Sequence, residues 1–588
     1  MTFSNWFIFF LLLQVIHFLG TWKLYVKAGR KPWEAIIPIY NAVILMKIIN
    51  RPKWWVVLLF IPVVNLLMFP IIWIETIRTF GFYKKLDSFL VIITLGLYIF
   101  YVNYFTDAKY NKNRILKPRS ELGEWISSIT FAIIAATLVH TYFMQPFTIP
   151  TSSLEKTLLV GDYLFVSKFH YGARVPSTVI AAPMVHDTIP GIPIPFTGKS
   201  LNNPFGSYLS DSKDKNSWKN KFSLPHLRLP SIQKIKNNDI VCFNWPVDSL
   251  KTMWGDTSGE FTYKPVDKKT NYVKRCVGIA GDSLEIRNGF VYINGKKNEL
   301  PYRAKLQFFH KVYASKGLST NKLLRYTKKE FDRKFIIDFK SQQEFEEYRK
   351  YYGLQSINGN KYYLFARDKG VSQGLIHKYR SNITEINLNV RNVNLTLEMA
   401  EKLRKDSEVD SVIKIVHQAD NAIFPQIESN QWSQDNFGPI YIPKKGATVK
   451  IDLESLPYYE EIIKNYENND LLVHNNDIFI NGKKANSYTF QQDYYWLVGD
   501  NRHNSLDARY WGYVPFDHVL GKPVMVWFSW DPSVPSFMGK LKSIRWDRMF
   551  TTVGGDGEPV SYRYLVFGLI ALYIGYSFYR RRKTKKLN

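Results

Sequence analysis

The sequence predicts a mainly β domain of antiparallel sheets, interrupted by an α/β insertion and carried by α-helical transmembrane segments. Three observations predict it. Apolar runs long enough to enter a bilayer are confined to the first 145 residues and to a short stretch near the C-terminus. Between them, short runs such as Asp239-Ile-Val-Cys-Phe-Asn-Trp245 and Val524-Met-Val-Trp-Phe-Ser-Trp530 have strand length and strand composition. Finally, Phe290-Val-Tyr-Ile-Asn-Gly-Lys-Lys297 returns as Ile478-Phe-Ile-Asn-Gly-Lys-Lys484, and each copy holds Asn-Gly, the strongest short hairpin signal.

Taken from the N-terminus, residues 1–120 read as a multi-span membrane domain. The first span, 6–20, has no basic segment before it and no small-residue cleavage site after it, so it is an anchor rather than a removable leader. Residues 54–74 and 89–105 are the next two spans. Residues 33–49, broken by Pro38 and Asn41, belong at the membrane interface. A fourth span, 126–143, forms the anchor 121–145. Lys23, Lys27, Arg30 and Lys31 follow the first span, and Lys109, Lys112, Arg114, Lys117 and Arg119 follow the third. The positive-inside rule puts both groups in the cytoplasm and residues 145 to about 560 on the other side. Arg78, Lys84 and Lys85 conflict with that scheme.

Residues 146–300 hold the first part of the β core, with an exposed excursion at 176–235 rich in Pro, Ser, Asn and Lys. Residues 301–430 read as the α/β insertion, with helical patterns at 340–350 and 397–405. Residues 431–550 return to β, 551–563 form a glycine-bearing linker, and 564–588 form a returning membrane helix with a basic tail. A core helix is the alternative for 564–579.

The bulk numbers exclude several classes. A length of 588 residues suggests about two to four domains. The net charge of +28 invites a nucleic-acid reading, but the basic residues crowd beside apolar runs and no nucleic-acid module is present. They suit anionic lipid instead, and no nucleic-acid partner is expected. Cys242 and Cys276 are too few for a disulfide scaffold or a Cys-ligated zinc site, and are expected as buried free thiols. No GxxxxGK[ST] or HExxH occurs, and neither metal nor cofactor is expected.

Three segments carry chemistry. Gln145-Pro-Phe-Thr-Ile-Pro-Thr-Ser-Ser-Leu-Glu-Lys-Thr-Leu-Leu-Val-Gly-Asp162 places several hydroxyls where the chain leaves the bilayer, on backbone that Pro146 and Pro150 hold extended. Tyr272-Val-Lys-Arg-Cys-Val-Gly-Ile-Ala-Gly-Asp282 sets Lys274 among apolar neighbours. A serine needs a base to become a nucleophile, and a lysine serves if burial lowers its pKa from about 10.4 by several units. The third segment is Gly499-Asp-Asn-Arg-His-Asn-Ser-Leu-Asp-Ala-Arg-Tyr-Trp-Gly-Tyr-Val-Pro515.

Together the three segments resemble bacterial signal peptidase I, a membrane-bound Ser–Lys endopeptidase. The resemblance covers roughly residues 124–175, 234–297 and 432–548, and implies a signal-peptidase-like β fold. It implies Ser153 as nucleophile, Lys274 as general base, Thr151 with the Ser153 N–H as oxyanion hole, and Ser505 as the hydroxyl that orients Lys274. Asp507 and Arg509, with Asp500 and Arg502, would brace the loop. Ile149, Leu154, Leu158, Tyr272 and Val273 would line pockets for small residues one and three places before the cut. The implied partners are signal-peptide-bearing preproteins, membrane lipids and the protein export machinery. The implied location is the cytoplasmic membrane, with catalysis on its extracytoplasmic face. Trp527, Phe528, Trp530, Trp546 and Phe550 form an aromatic end suited to the membrane interface, or to the core.

The chain departs from the family pattern at Lys156, where a proline is common, at His503, where aspartate is common, and at Ala508 for serine. Two other readings stay open: a Ser–Lys peptidase of narrower specificity, and an inactive relative acting as a membrane scaffold. A Ser–His–Asp reading through His503 and Asp507 would leave the lysine segment without a role.

Overall fold

The structure is a computed structural model, and it describes the chain except residues 119, 187–191, 194–199, 202–206, 252–255, 257, 328–330, 367–369, 535 and 588. Arg119 and part of the excursion therefore lie outside the described residues. Sheets in the described chain are mainly antiparallel.

Among the described residues, two helices are long and apolar enough to cross a membrane: α1 (Phe3–Lys27) and the span Glu121–Phe143. The second consists of α2 (Glu121–Leu138) continued by a wider turn, Val139–Phe143. Two expected spans differ. Residues 54–74 split into Trp55–Leu58 and Val64–Thr79, because Pro62 lacks an N–H and Val63 turns to φ +68°. Residues 89–105 break at Leu95 and Gly96, both at positive φ: the halves Lys85–Ile93 and Tyr98–Tyr104 are together long and apolar enough for one span but meet at 119°, as in a broken span or a re-entrant loop. Hydropathy counts carbon, not backbone sign, so neither break shows in an apolar run. Within residues 33–49, Ala35, Ile44, Leu45, Met46 and Ile48 are buried in the core of this N-terminal part, while Trp33, Ile36, Ile37 and Ile39 are exposed. The C-terminal helix, α3 (Arg563–Leu587), forms and is less apolar than the two spans.

The site hangs on one eight-stranded sheet. Its strands are β1 (Met144–Thr148), β2 (Asp162–Ser167), β3 (Ile240–Asn244), β4 (Asn271–Gly278), β5 (Tyr494–Val498), β6 (Val514–Pro515), β7 (Val519–Ser529) and β8 (Thr551–Thr552). The spatial order is β1-β2-β7-β3-β4-β5-β6, with β8 on β7. The anchor helix thus feeds straight into an edge strand. β5 pairs with β4 only from Arg275 onward, so Asn271–Lys274 keeps that side of its backbone unpaired. Both repeated hairpins form as their Asn-Gly signals predict. Asn294 and Gly295 have φ +51° and +80°, and Asn481 and Gly482 have +52° and +76°, the double left-handed geometry of a tight hairpin turn.

Within 301–430, strand Gln307–Leu318 pairs with Leu388–Thr396 and Ser411–Lys414, and a second sheet is built on Arg333–Asp338. Helices Gln342–Arg349 and Leu397–Arg404 accompany these sheets. Cys242 and Cys276 are buried and free, and burial pushes the Cys242 thiol up to about 12. In the aromatic end, Tyr163 gathers Trp527, Phe528 and Trp530, while Trp546 stays exposed and Phe550 packs on Phe567 of α3.

Candidate active site

Between β1 and β2 the chain makes a compact turn that presents Ser153. Pro150 and the pair Ile149 N–H to Asp162 O and Gly161 N–H to Ile149 O, both 2.9 Å, pinch its base. Inside it, Leu158 N–H donates to Leu154 O at 2.7 Å. Its outer face is held by the segment after β5. Asn501 donates from its backbone to Ser153 O at 3.0 Å and from its side chain to Ser152 O at 3.1 Å. Asn504 Nδ2 donates to Ser152 Oγ at 2.8 Å.

The two adjacent serines are therefore distinguished. The Ser152 hydroxyl is engaged by Asn504, whereas Ser153 Oγ lies 2.5 Å from Lys274 Nζ. Ser153 is 8% exposed and Lys274 2%. Burial pushes the Lys274 ammonium down to about 8, an effect that Asp507 opposes and Arg509 reinforces. Tyr272, two residues along β4 on the same face, presents its ring 5.5 Å from the amine.

The support loop forms a dense charged layer. Arg509 grips Asp507 in two bonds of 2.8 Å, and Asp507 also accepts from Gly499 N–H at 3.0 Å. Arg502 donates to Gly289 O at 2.7 Å and does not pair with Asp500. Asp500 is held by Arg275 through two bonds of 2.7 Å, and by Thr157 Oγ1 at 2.7 Å. Burial pushes the Asp500 carboxyl up, but Arg275 outweighs it and keeps the group below the ordinary range. Arg275, Thr157, Asn501 and Asn504 are the members that sequence reasoning missed. Strand alternation says that Arg275 faces away from Lys274, and a buried arginine needs a partner. Sequence alone does not name that partner.

Ser505 departs from the expectation. Its hydroxyl is buried, has no hydrogen-bond partner among the described residues, and lies against Gly499 rather than bonded to Lys274. Ile149, Leu154 and Leu158 pack into a core cluster with Val273 at its margin, so these expected pocket residues are drawn together but largely enclosed. Tyr272 packs on Trp245 and Trp511. Thr151 is half-buried and lines a cleft of about 1190 Å³ beside Ser152, Glu155, Lys156 and Asn504. Phe309, Tyr326, Phe331, Met399 and Ile415, all from 301–430, also line it.

Segment 301–430 also grips the support loop. Gln307 N–H donates to Asp500 O and Arg502 N–H to Gln307 O, both at 3.0 Å, and Asn394 Nδ2 donates to Asn501 Oδ1 at 2.6 Å. His503 turns toward it: Phe309 N–H donates to His503 Nδ1 at 3.0 Å, and His503 Nε2 donates to Asp435 Oδ1 at 2.8 Å. The Ser–His–Asp alternative therefore fails, since Asp507 is committed to Arg509. His417, Asp435 and His503 are close enough to suggest a cation site. The Phe309 bond consumes the only lone pair of a neutral His503 ring, so the cluster reads as a hydrogen-bonded brace.

Lys156 sits at φ +69°, a value that a proline ring, fixed near −65°, does not adopt. Lys156→Gly should relieve about 1–2 kcal/mol of left-handed strain and raise the melting temperature with cleavage retained. Lys156→Pro should distort the Ser153 turn and lower both. Wild-type behaviour of the proline variant would contradict this geometry.

A profile of the family described as "Signal peptidase, peptidase S26" matches residues 122–373 and 441–530, more than half of the chain. Residues 33–113 match a family of unknown function, DUF5684. Signal peptidase I of Buchnera aphidicola subsp. Schizaphis graminum is 20% identical over 438 residues, covering 73% of this chain and 85% of the relative. Signal peptidase I of Haemophilus influenzae is 41% identical over 69 residues, 11% of this chain and 20% of the relative. Signal peptidase I of Rickettsia massiliae is 26% identical over 193 residues, 33% and 48% respectively.

Proposed function

The chain belongs to the signal peptidase family, peptidase S26, and is a membrane-associated serine endopeptidase that removes signal peptides; we propose that Ser153 is its nucleophile and Lys274 its general base. One observation carries the residue assignment: the 2.5 Å contact between Ser153 Oγ and the buried Lys274 Nζ. With the amine neutral, the Ser153 O–H donates to its lone pair and passes its proton as Oγ attacks the scissile carbonyl. The Ser153 N–H and the Thr151 hydroxyl stabilise the oxyanion, each such donor being worth about 2.7–4 kcal/mol. Lys274 returns the proton to the departing amine, which is the new N-terminus of the mature protein. It then takes a proton from the water that releases the acyl group. Ser505, without a partner in the resting site, is the hydroxyl available to hold Lys274 once its proton moves.

The substrate enters extended, its residues before the cut beside the edge strand β1 and the unpaired side of Asn271–Lys274. The distribution of basic residues favours the extracytoplasmic side for this domain, where preproteins emerge from the export machinery. A narrower substrate range is the second reading, favoured by the residues of 301–430 that line the cleft beside Thr151.

A pH profile tests the base. In detergent–lipid micelles, cleavage of a preprotein with an Ala-x-Ala site should rise about tenfold per pH unit up to about 8, then level off, because only neutral Lys274 accepts the proton. A rate unchanged between pH 6 and pH 9 would sink the assignment.

A further inference from the structure

A second cavity, of about 110 Å³, lies where the Glu121–Phe143 span meets the sheet. His140 and Thr141 from the end of that span, Gln145 of β1 and Val63 of the N-terminal part line it. The charged and titratable groups facing it, besides His140, are Lys168, Arg174, His186, Asp267 and Lys268. Lys168 is 7% exposed, and among the described residues no acceptor meets its ammonium. Arg174 is fixed by bonds to Asp517 O at 2.8 Å and Asn244 Oδ1 at 2.7 Å, and Lys268 donates to Val185 O at 3.3 Å. Asp267 is the one carboxylate in the lining among the described residues, and it already accepts from Ser177 Oγ, Thr178 Oγ1 and Thr178 N–H.

Among the described residues, three basic side chains thus face one carboxylate, which already accepts three hydrogen bonds. Buried charge persists where it is paired, and Lys168 has no such pair among the described residues. Burial and the neighbouring Arg174 push its ammonium down to about 7. The volume is well below the roughly 300–1,000 Å³ of sites for drug-sized ligands, so the missing partner is a small group. The location at the end of a membrane span is the depth at which phosphodiester headgroups sit.

We propose that this cavity binds a phosphate group, with Lys168 as its principal ligand and Arg174 and Lys268 completing the positive wall. Neither the catalytic dyad nor its assigned roles enter the argument. The chemistry fits the phosphate of an anionic lipid headgroup and free inorganic phosphate alike, and the test separates them.

The full chain in an uncharged detergent, at constant ionic strength, is titrated with inorganic phosphate, short-chain phosphatidylglycerol or short-chain phosphatidylcholine while its melting temperature is followed. The expected result is a saturable rise with phosphate or phosphatidylglycerol that far exceeds the response to phosphatidylcholine. The midpoint should weaken at least tenfold in Lys168→Gln and recover in Lys168→Arg. A response to phosphatidylglycerol alone identifies the headgroup as the source, and a response to inorganic phosphate identifies the free ion. No saturable response in the wild type, or an unchanged response in Lys168→Gln, overturns the site. Should Lys168→Gln fail to fold, Lys268→Gln supplies the same comparison.

Discussion

Lys274→Met is expected to abolish cleavage and to make the folded protein more stable at neutral pH. Removing a general base typically costs about 10²–10⁴-fold in rate, and here no second base faces Ser153 Oγ among the described residues. The stability gain follows from linkage. Lys274 binds its proton with a pKa of about 8 in the fold against 10.5 ordinarily. Between those values the unfolded chain holds a proton that the native chain lacks, so wild-type stability rises with pH through that window. Below about 8 the native state carries the full cost of the buried ammonium, about 3 kcal/mol at about 1.4 kcal/mol per unit. Methionine fills similar volume and carries no charge. The melting temperature of the variant should therefore exceed that of the wild type at pH 7, with the gap closing as pH rises from 8 toward 10.5. A gap that does not change with pH would mean that burial does not set the lysine's protonation.

Gly499→Ala should cripple catalysis while leaving the fold in place. A Cβ on Gly499 would stand 2.2 Å from Ser505 Oγ and 2.6 Å from the Ser153 carbonyl oxygen. The serine hydroxyl can rotate away, but the Ser153 carbonyl is backbone and receives the Asn501 N–H. The turn that presents the nucleophile must shift. Overpacking of this kind costs about 1–3 kcal/mol in stability, and a displacement of about 1 Å at a reacting group costs about 100-fold in rate. Steady-state cleavage should show kcat reduced about 100-fold or more. A Gly499→Ala enzyme with wild-type kcat would show that the segment after β5 does not position Ser153.

The chemistry was legible because it sits in three short contiguous motifs, and the fold brings two of their members, Ser153 and Lys274, into contact. Ser505 belongs to the third motif, yet the hydrogen bond implied for it is not formed in the resting site. The alternation of β4 separated Lys274 from Arg275 correctly, but the Arg275–Asp500 pair joins β4 to the loop after β5, far apart in sequence, and no local pattern encodes it. The breaks at Val63 and at Leu95–Gly96 escaped notice because positive φ is a backbone event inside an otherwise apolar run. The docking of Gln307 and Asn394 on the support loop was invisible for the same reason as the Arg275 pair. Backbone and amide partners are chosen by the folded surface, not by spacing.

The central claim, that Ser153 is the nucleophile, is tested most directly by cleavage of an Ala-x-Ala preprotein in detergent–lipid micelles, with the product's N-terminus sequenced. Ser153→Ala and Ser152→Ala are run beside the wild type. The expected result is wild-type cleavage after the second alanine, no cleavage by Ser153→Ala and substantial cleavage by Ser152→Ala. Cleavage by Ser153→Ala together with loss of cleavage in Ser152→Ala would contradict it and move the nucleophile one residue back.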